Sequence, residues 1–342
     1  MNVSIIGCGL IGNKRARALG THALITCSDV ILSRAAALAA LHQGSEPTTD
    51  WRRAATRDDV DAVIVSTTND MLVPAAVAAV QAGKHVLLEK PGARNSRELQ
   101  TLADAAREAR VVVKVGFNHR FHLAMSRARE LIDGNAIGPL MFIRGRYGHG
   151  GRLGMEKEWR GNPQISGGGE MLDQGVHLID LARWYLGDFV ETSGHVGRFF
   201  WDWPVEDNGF AMLKTAAGQV AWLHASCTEW KNLFSLEIYG RTGKLHIEGL
   251  GGSYGAERLA YYKMLPQMGP PETTIWEYPG EDRSWQAEFE HFVECIANNQ
   301  SPCGSLDDAL AALRIVETLH SNSRCAEQAN GGQCPPYGNA RA

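Results

Sequence analysis

The chain has 342 residues, of which 44% are hydrophobic and 21% charged, and its formal net charge is −4. These values are typical of a globular protein of about two domains and exclude a disordered or collagen-like chain. With no net basic charge and no apolar run near the roughly 18 residues of a membrane span, we expect neither a nucleic-acid partner nor a membrane partner.

The first third of the chain alternates β-branched apolar runs with Ala-rich, helix-forming stretches. This alternation predicts a parallel sheet covered by helices on both faces, which is a doubly wound α/β domain. The predicted strands are 3–6, 24–27, 62–65, 85–88 and 111–115, and the predicted helices are 14–19, 33–42, 74–82 and 96–110.

The pattern changes after about residue 120. A helix is predicted over 123–133, a strand over 140–147 and a long helix over 170–186, directly after three glycines. Runs separated by hairpin signals then predict a mainly antiparallel sheet. These runs are 189–197, 209–215, 219–229, 233–239 and 244–248, and a final helical pair is predicted at 285–298 and 306–321.

The two patterns divide the chain into an N-terminal domain (1–121), a C-terminal α/β domain (122–328) and a tail (329–342). Seven cysteines occur without a CxxC pair. The chain starts without a basic segment before an apolar run, so we predict no secretory signal. We therefore expect a cytoplasmic protein with reduced thiols, no disulfides and no metal site.

A glycine-rich motif follows the first predicted strand and opens the next helix. Gly7, Gly9 and Gly12 form the GxGxxG pattern that lets a backbone approach a pyrophosphate at a helix N-terminus. Asp29 lies 20 residues beyond Gly9, where a carboxylate can bind ribose hydroxyls, so we expect NAD rather than NADP. Two alternatives are that Asp29 caps the following helix and that Arg34 accommodates a 2′-phosphate.

Two further groups are candidates for chemistry. Lys90 follows a predicted parallel strand, at the sheet edge where ligands bind, although it could instead form an exposed ion pair with Glu89. Asp173 and His177 are four residues apart on one helix, so the carboxylate is placed to orient the imidazole as a general base. The alternative is a core histidine satisfied by Asp173.

Aromatic residues provide candidates for a substrate wall. Trp159 and Arg160 precede the triple glycine and are predicted substrate contacts. The segments 201–203 and 228–231 are predicted on the second sheet, where they would stack on a sugar or, as the favoured alternative, form a core or subunit contact.

These motifs, in this order, make the chain similar to the Gfo/Idh/MocA family of nicotinamide-dependent oxidoreductases. The resemblance is carried by the glycine motif and by segments 67–70, 83–91, 115–121 and 167–180. It implies a Rossmann domain, a second domain with an open sheet that makes a homodimer or homotetramer, and a cis Lys90–Pro91 bond. Thr68 and Leu72 depart from the Pro and His that are common in the family.

The resemblance also assigns roles to residues. It implies that Lys90, Asp173 and His177 are catalytic and that Asn118 and Arg120 join the substrate contacts. The residues expected to bind the cofactor are Gly7, Gly9, Leu10, Ile11, Gly12, Asp29, Thr67, Asn69, Glu89 and Lys90.

We therefore predict an NAD-dependent oxidoreductase that transfers a hydride between nicotinamide and a secondary alcohol carbon of a sugar, cyclitol or sugar derivative. Two alternatives remain open. One is a nucleotide-binding sensor or regulator without catalysis, and the other is an NAD-using glycoside hydrolase on the same scaffold.

Overall fold

The computed structural model describes residues 1–267 and 269–329. The predicted tail therefore lies outside the described residues, except for its first residue, which ends the last helix. Within the described ranges, no helix combines the length and the apolar character needed to cross a membrane.

The N-terminal sheet has six parallel strands in the order β3-β2-β1-β4-β5-β6. The central strand β4 is apolar along its whole length because both faces of the sheet are covered. Val63 and Val65 face one hydrophobic cluster, whereas Ala62 and Ile64 face another. The strands are β1 (Asn2–Ile6), β2 (Ala23–Ser28), β3 (Glu46–Thr48), β4 (Ala62–Val65), β5 (His85–Leu88) and β6 (Val113–Val115).

Five helices connect these strands and confirm the predicted alternation. The short β3 and α3 were not predicted, and α4 begins five residues before Pro74, which lies inside the helix. Gly83, with a φ of +74°, follows this helix as predicted. The helices are α1 (Leu10–Arg17), α2 (Leu32–Ala39), α3 (Trp51–Thr56), α4 (Asn69–Gln81) and α5 (Ser96–Ala109).

The second sheet has eight strands in the order β14-β13-β12-β11-β7-β10-β9-β8, and it is antiparallel except where β10 pairs with β7. Its last two strands were not predicted. The strands are β7 (Leu140–Gly148), β8 (Phe189–Gly197), β9 (Asn208–Thr215), β10 (Val220–Ser226), β11 (Leu233–Gly240), β12 (Gly243–Glu248), β13 (Glu257–Lys263) and β14 (Glu272–Tyr278).

One face of this sheet is buried and the other is open. Ile143 and Leu223 point inward and pack in the same cluster as Leu178. Phe142 and Trp222 lie on the opposite face and are exposed. The remaining helices are α6 (Leu123–Asp133), α7 (Pro163–Ser166), α8 (Val176–Leu186), α9 (Ser284–Asn298) and α10 (Leu306–Ala329).

The C-terminal helices pack on the N-terminal domain as well as on the second sheet. Phe289 and Phe292 of α9 share a cluster with Val3 and Ile5 of β1. Helix α10 contacts α5 of the first domain, and α8 and β8 of the second. The predicted domain boundary at residues 121 and 122 stays a prediction, because α9, near the end of the chain, packs against the first sheet.

The aromatic segments were predicted on the wrong element. Residues 201–203 lie in the loop between β8 and β9, and residues 228–231 lie in the loop between β10 and β11. Trp203 is buried against Met155 and Cys227. These segments therefore lie at one end of the sheet rather than on its face.

Candidate active site

The glycine-rich loop joins β1 to α1. Gly7 has a φ of +96°, and a Cβ on Gly12 would lie 2.0 Å from the carbonyl oxygen of Gly7. A Cβ on Gly9 would meet no described atom within 4 Å. The loop thus forms a cradle that is open at Gly9, where a side chain would fill the space, and a pyrophosphate fits such a cradle at a helix N-terminus.

Asp29 lies just after β2 and holds this loop. Its Oδ2 accepts a hydrogen bond from the backbone N–H of Cys8 at 2.8 Å, and its Oδ1 accepts one from Ile31 at 2.9 Å. Because Ile31 is the N-cap residue of α2, the alternative that Asp29 is the N-cap is wrong. Val30, which is 87% exposed, offers no cation beside this carboxylate.

Lys90 lies just beyond β5, and its ammonium reaches the second domain. Its Nζ donates to Asp173 Oδ1 at 2.5 Å and to the backbone oxygen of Asp173 at 2.7 Å. Glu89 accepts instead from the buried Arg15, so the alternative of an exposed Glu89–Lys90 ion pair is wrong. The Lys90–Pro91 bond is cis, as the resemblance implied.

Asp173 forms ion pairs with two cationic side chains. Besides Lys90, it accepts a hydrogen bond from Nε of Arg160 at 3.0 Å. Burial raises the pKa of Asp173, but the charges of Lys90 and Arg160 outweigh burial and hold this pKa below its ordinary value. Asp173 is therefore a carboxylate at neutral pH, and it fixes two cationic groups beside each other.

The predicted helix over 170–186 is not continuous. A π-helical turn spans Met171–Gly175, and α8 starts at Val176. Glu206 binds the start of this turn, because its carboxylate accepts from the backbone N–H groups of Gly169 and Met171. Such a turn widens the helix locally and changes which side chains share a face.

This change corrects the predicted contact between Asp173 and His177. The carboxylate bonds to Lys90 and Arg160 instead, and the His177 ring stacks on His119 with centroids 3.8 Å apart. Burial, and next the charge of Lys90, lowers the pKa of His177 well below its ordinary value. The imidazole is therefore neutral at neutral pH, and its Nδ1 has no hydrogen-bond partner among the described residues.

A cavity of about 510 Å³ connects these elements. Leu10, the first residue of α1, and Asn69 of α4 line the cavity from the first domain, and Trp159, Arg160 and Asp173 line it from the second. Predicted cofactor residues and predicted substrate residues thus open onto one space. A cavity of this size is typical of small-molecule sites.

Two predicted substrate residues lie elsewhere. Asn118 donates to Ser284 Oγ at 2.9 Å, and Arg120 forms a buried pair with Asp180, with its Nε 2.7 Å from Oδ2. Neither lines the cavity, and Lys90 and His177 do not line it either, although Lys90 reaches the wall through its bond to Asp173. The role of Asn118 and Arg120 as substrate contacts stays a prediction. An arginine in a buried ion pair and one in a binding site look the same in sequence. The hydroxyl of Thr67, predicted at the cofactor, donates to the backbone oxygen of Thr68.

His149 and Glu170 of the cavity wall were not among the predicted site residues, whereas Trp203 belongs to the aromatic segment 201–203, which was considered as a sugar wall. One signal was present for Glu170, since it is a charged residue at the start of a mostly apolar helix. Buried polar groups of this kind need a partner or a function.

The fold and the cavity define a two-domain protein with a dinucleotide-binding Rossmann domain. Residues 1–117 match the family model of the oxidoreductase family with an NAD-binding Rossmann fold, and residues 125–246 match that of the GFO/IDH/MocA C-terminal domain. The chain belongs to the Gfo/Idh/MocA family.

Individual relatives are similar over different lengths. Levoglucosan dehydrogenase from Pseudarthrobacter phenanthrenivorans is 30% identical over 64% of this chain, but the match spans only 59% of that protein. D-Glucoside 3-dehydrogenase from Escherichia coli is 28% identical over 94% of this chain and 95% of its own length. A solved levoglucosan dehydrogenase, in complex with NADH and levoglucosan, shares the fold with a TM-score of 0.86 at 24% identity, over 95% of this chain and 97% of that one.

Proposed function

We propose that this protein is an NAD-dependent oxidoreductase acting on a secondary alcohol carbon of a sugar, cyclitol or sugar derivative. The observation that carries the proposal is the position of Lys90, at the C-terminal edge of the nucleotide-binding sheet and bound to Asp173 in the cavity wall. The names of the relatives, which are sugar dehydrogenases, support the same substrate class.

Lys90 has one donor to spare for the substrate. An ammonium group has three N–H donors, and Asp173 accepts from two of them. The third is available for the substrate oxygen, where it would stabilise the negative charge that develops as the alcohol proton leaves. When bound, the nicotinamide ring supplies the hydride acceptor or donor.

His177 is the proposed base. Because its imidazole is neutral, it has a lone pair with which to accept the proton of the substrate hydroxyl. In the direction of reduction it would return that proton to the carbonyl oxygen. Asp173 acts on Lys90 and Arg160 rather than on His177, so we assign it the positioning of the two cations.

We propose NAD over NADP because Asp29 places a carboxylate, and Val30 an apolar side chain, where a 2′-phosphate would lie. We also propose a cytoplasmic homodimer or homotetramer that associates through the open face of the second sheet. Exposed apolar side chains on that face, including Phe142, Met212 and Trp222, support such an interface.

The test is steady-state NAD reduction with a panel of neutral sugars and cyclitols, followed by absorbance. We expect turnover with at least one of them and a large loss of turnover in His177→Ala. Binding of NADH without any turnover would support a sensor, and hydrolysis of a glycoside without net NADH would support the hydrolase alternative.

A further inference from the structure

Two buried polar atoms in the cavity wall have no hydrogen-bond partner among the described residues. They are Oε1 of Glu170 and Nε1 of Trp203. Both side chains line the cavity, although the residues are only 3% and 4% exposed. A buried polar group without a partner destabilises the fold, so such atoms point to a ligand that completes their hydrogen bonds.

In the described part of the chain, no neighbouring side chain satisfies Oε1 of Glu170. The nearest basic group is His149, whose Nε2 lies 3.7 Å from Oε1, which is too long for a hydrogen bond. Trp201, next to Trp203 in sequence, differs from it because its Nε1 donates to the backbone oxygen of Cys227 at 2.9 Å. Of the two tryptophans, the one that lines the cavity is therefore the one whose indole N–H has no partner.

We propose that Glu170 and Trp203 form a hydroxyl-binding subsite that selects an uncharged, polyhydroxylated ring as substrate. This inference rests on the proposed function, since it concerns the same cavity. Glu170 is the N-cap residue of the π-helical turn that holds Asp173, the partner of Lys90, and Glu170 and Asp173 both line the cavity. It would bind hydroxyls other than the one that is oxidised.

The direction in which the pKa of the Glu170 carboxyl group is shifted agrees with this subsite. Burial, and next the negative charge of Asp173, raises the pKa of Glu170 well above its ordinary value. Lys90 and Arg160 act in the opposite direction, and Glu206 acts in the same direction as Asp173. A protonated carboxyl group both donates and accepts, which matches a hydroxyl group.

The same reasoning disfavours an acidic sugar. A substrate carboxylate can only accept hydrogen bonds, so it cannot donate to Oε1 of Glu170, whereas a hydroxyl group can donate to Oε1 and also accept from Nε1 of Trp203. The indole N–H of Trp203 and the carboxyl group of Glu170, in the wall of one cavity, instead suit the hydroxyls of a pyranose or cyclitol. A site built to bind a hydroxyl strongly rejects an analogue that lacks it.

The test compares variants at the two positions, with levoglucosan, myo-inositol, methyl β-D-glucopyranoside and D-glucuronate as probes at saturating NAD. We expect Glu170→Met to raise KM for the best neutral probe about tenfold or more, with kcat changed less than about threefold. Glu170→Gln keeps the shape and can still donate and accept, so KM should stay within about threefold. Trp203→Phe should raise KM, whereas the matched control Trp201→Phe should not.

Calorimetric titration of the same probes into the NADH complex gives the dissociation constant without turnover. We expect the same ranking of variants in Kd, and tighter binding of neutral probes than of D-glucuronate. If Glu170→Met does not fold, as a thermal melt would show, Trp203→Phe and Glu170→Gln decide the question.

The subsite would be overturned if KM and Kd of Glu170→Met or Trp203→Phe stayed within about twofold of wild type. It would also be overturned if Glu170→Gln were as damaging as Glu170→Met, or if D-glucuronate were the preferred probe. If the wild type reduced no NAD with any probe, the proposed function would fail separately. The Kd values would then decide on the subsite, and a wild type that bound none of the probes would overturn it too.

Discussion

Replacing Asp173 by Asn tests whether this carboxylate positions Lys90. The substitution keeps the shape of the side chain but removes the charge shared by Lys90 and Arg160, with which Asp173 forms hydrogen bonds of 2.5 and 3.0 Å. Removing one partner of a fully buried pair costs about 3–5 kcal/mol, but the side chains of Lys90 and Asp173 are 18% and 20% exposed, so this pair is only partly buried. Because the Arg160 side chain is 40% exposed, solvent screens its interaction with Asp173. We therefore expect Asp173→Asn to lower the free energy of unfolding by an amount near the lower end of that range, about 3 kcal/mol.

The assay is urea unfolding followed by tryptophan fluorescence, with the exposed Asp202→Asn as control. A double-mutant cycle with Lys90→Met isolates the pair. We expect Asp173→Asn to lower the free energy of unfolding by at least about 1.5 kcal/mol less when Lys90 is already Met. In the wild-type background, Asp173→Asn should also lower kcat about 10–100-fold. If the two losses added within about 0.5 kcal/mol, Asp173 would not be the partner that holds Lys90.

Three further changes test other parts of the site. His177→Ala should lower kcat about 10²–10⁴-fold while the NADH dissociation constant changes little; a folded variant with near-normal kcat would remove His177 from the mechanism. The wild type should prefer NAD to NADP by at least about tenfold in kcat/KM, or about 1.4 kcal/mol, and Asp29→Ser should reduce that ratio; equal efficiency in the wild type would contradict the role of Asp29. The pKa of Glu170 is raised in the folded state, so the native protein keeps a proton that the unfolded chain loses above about pH 4.3. This group therefore lowers the free energy of unfolding increasingly as pH rises. Glu170→Gln should therefore gain stability relative to wild type between pH 5 and pH 8 in urea unfolding, whereas the exposed Glu156→Gln should not.

The first domain was predictable because its signals are local. The glycine motif and the apolar runs at residues 62–65 and 85–88 each indicate their own structure, and the parallel sheet follows from their alternation. Pro74 was misleading because a proline is most easily placed in a first helical turn, whereas α4 tolerates it further inside.

The outer strands of the second sheet were harder to predict. Strand β14 has exposed side chains along most of its length, including Ile275 at 49%, and β13 carries charged residues at both ends. Strand β14 is an edge strand, paired on one side and partly solvated, so it lacks the continuous apolar run that marks a buried strand. Strand β13 is paired on both sides, but its charged ends shorten its apolar run.

In the candidate site, too, some features follow from local sequence signals and others do not. The sequence placed Lys90, Asp173 and His177 together, since each follows from a motif. It could not show that a π-helical turn separates Asp173 from His177, because helical spacing assumes an unbroken helix. It also could not show which of Arg120 and Arg160 faces the cavity, because that depends on distant partners such as Asp180.

The most direct test of the proposed chemistry follows a deuterium label. A neutral sugar or cyclitol that is turned over, labelled on the carbon that bears the reacting hydroxyl, is incubated with NAD and the enzyme in ordinary water. Mass spectrometry then reports the label on the reduced nicotinamide. We predict one deuterium per reduced nucleotide with the wild type, and a rate about 10²–10³-fold lower with Lys90→Met. Reduced nucleotide without the label would contradict direct hydride transfer, and an unchanged rate in Lys90→Met would contradict the assignment of the site.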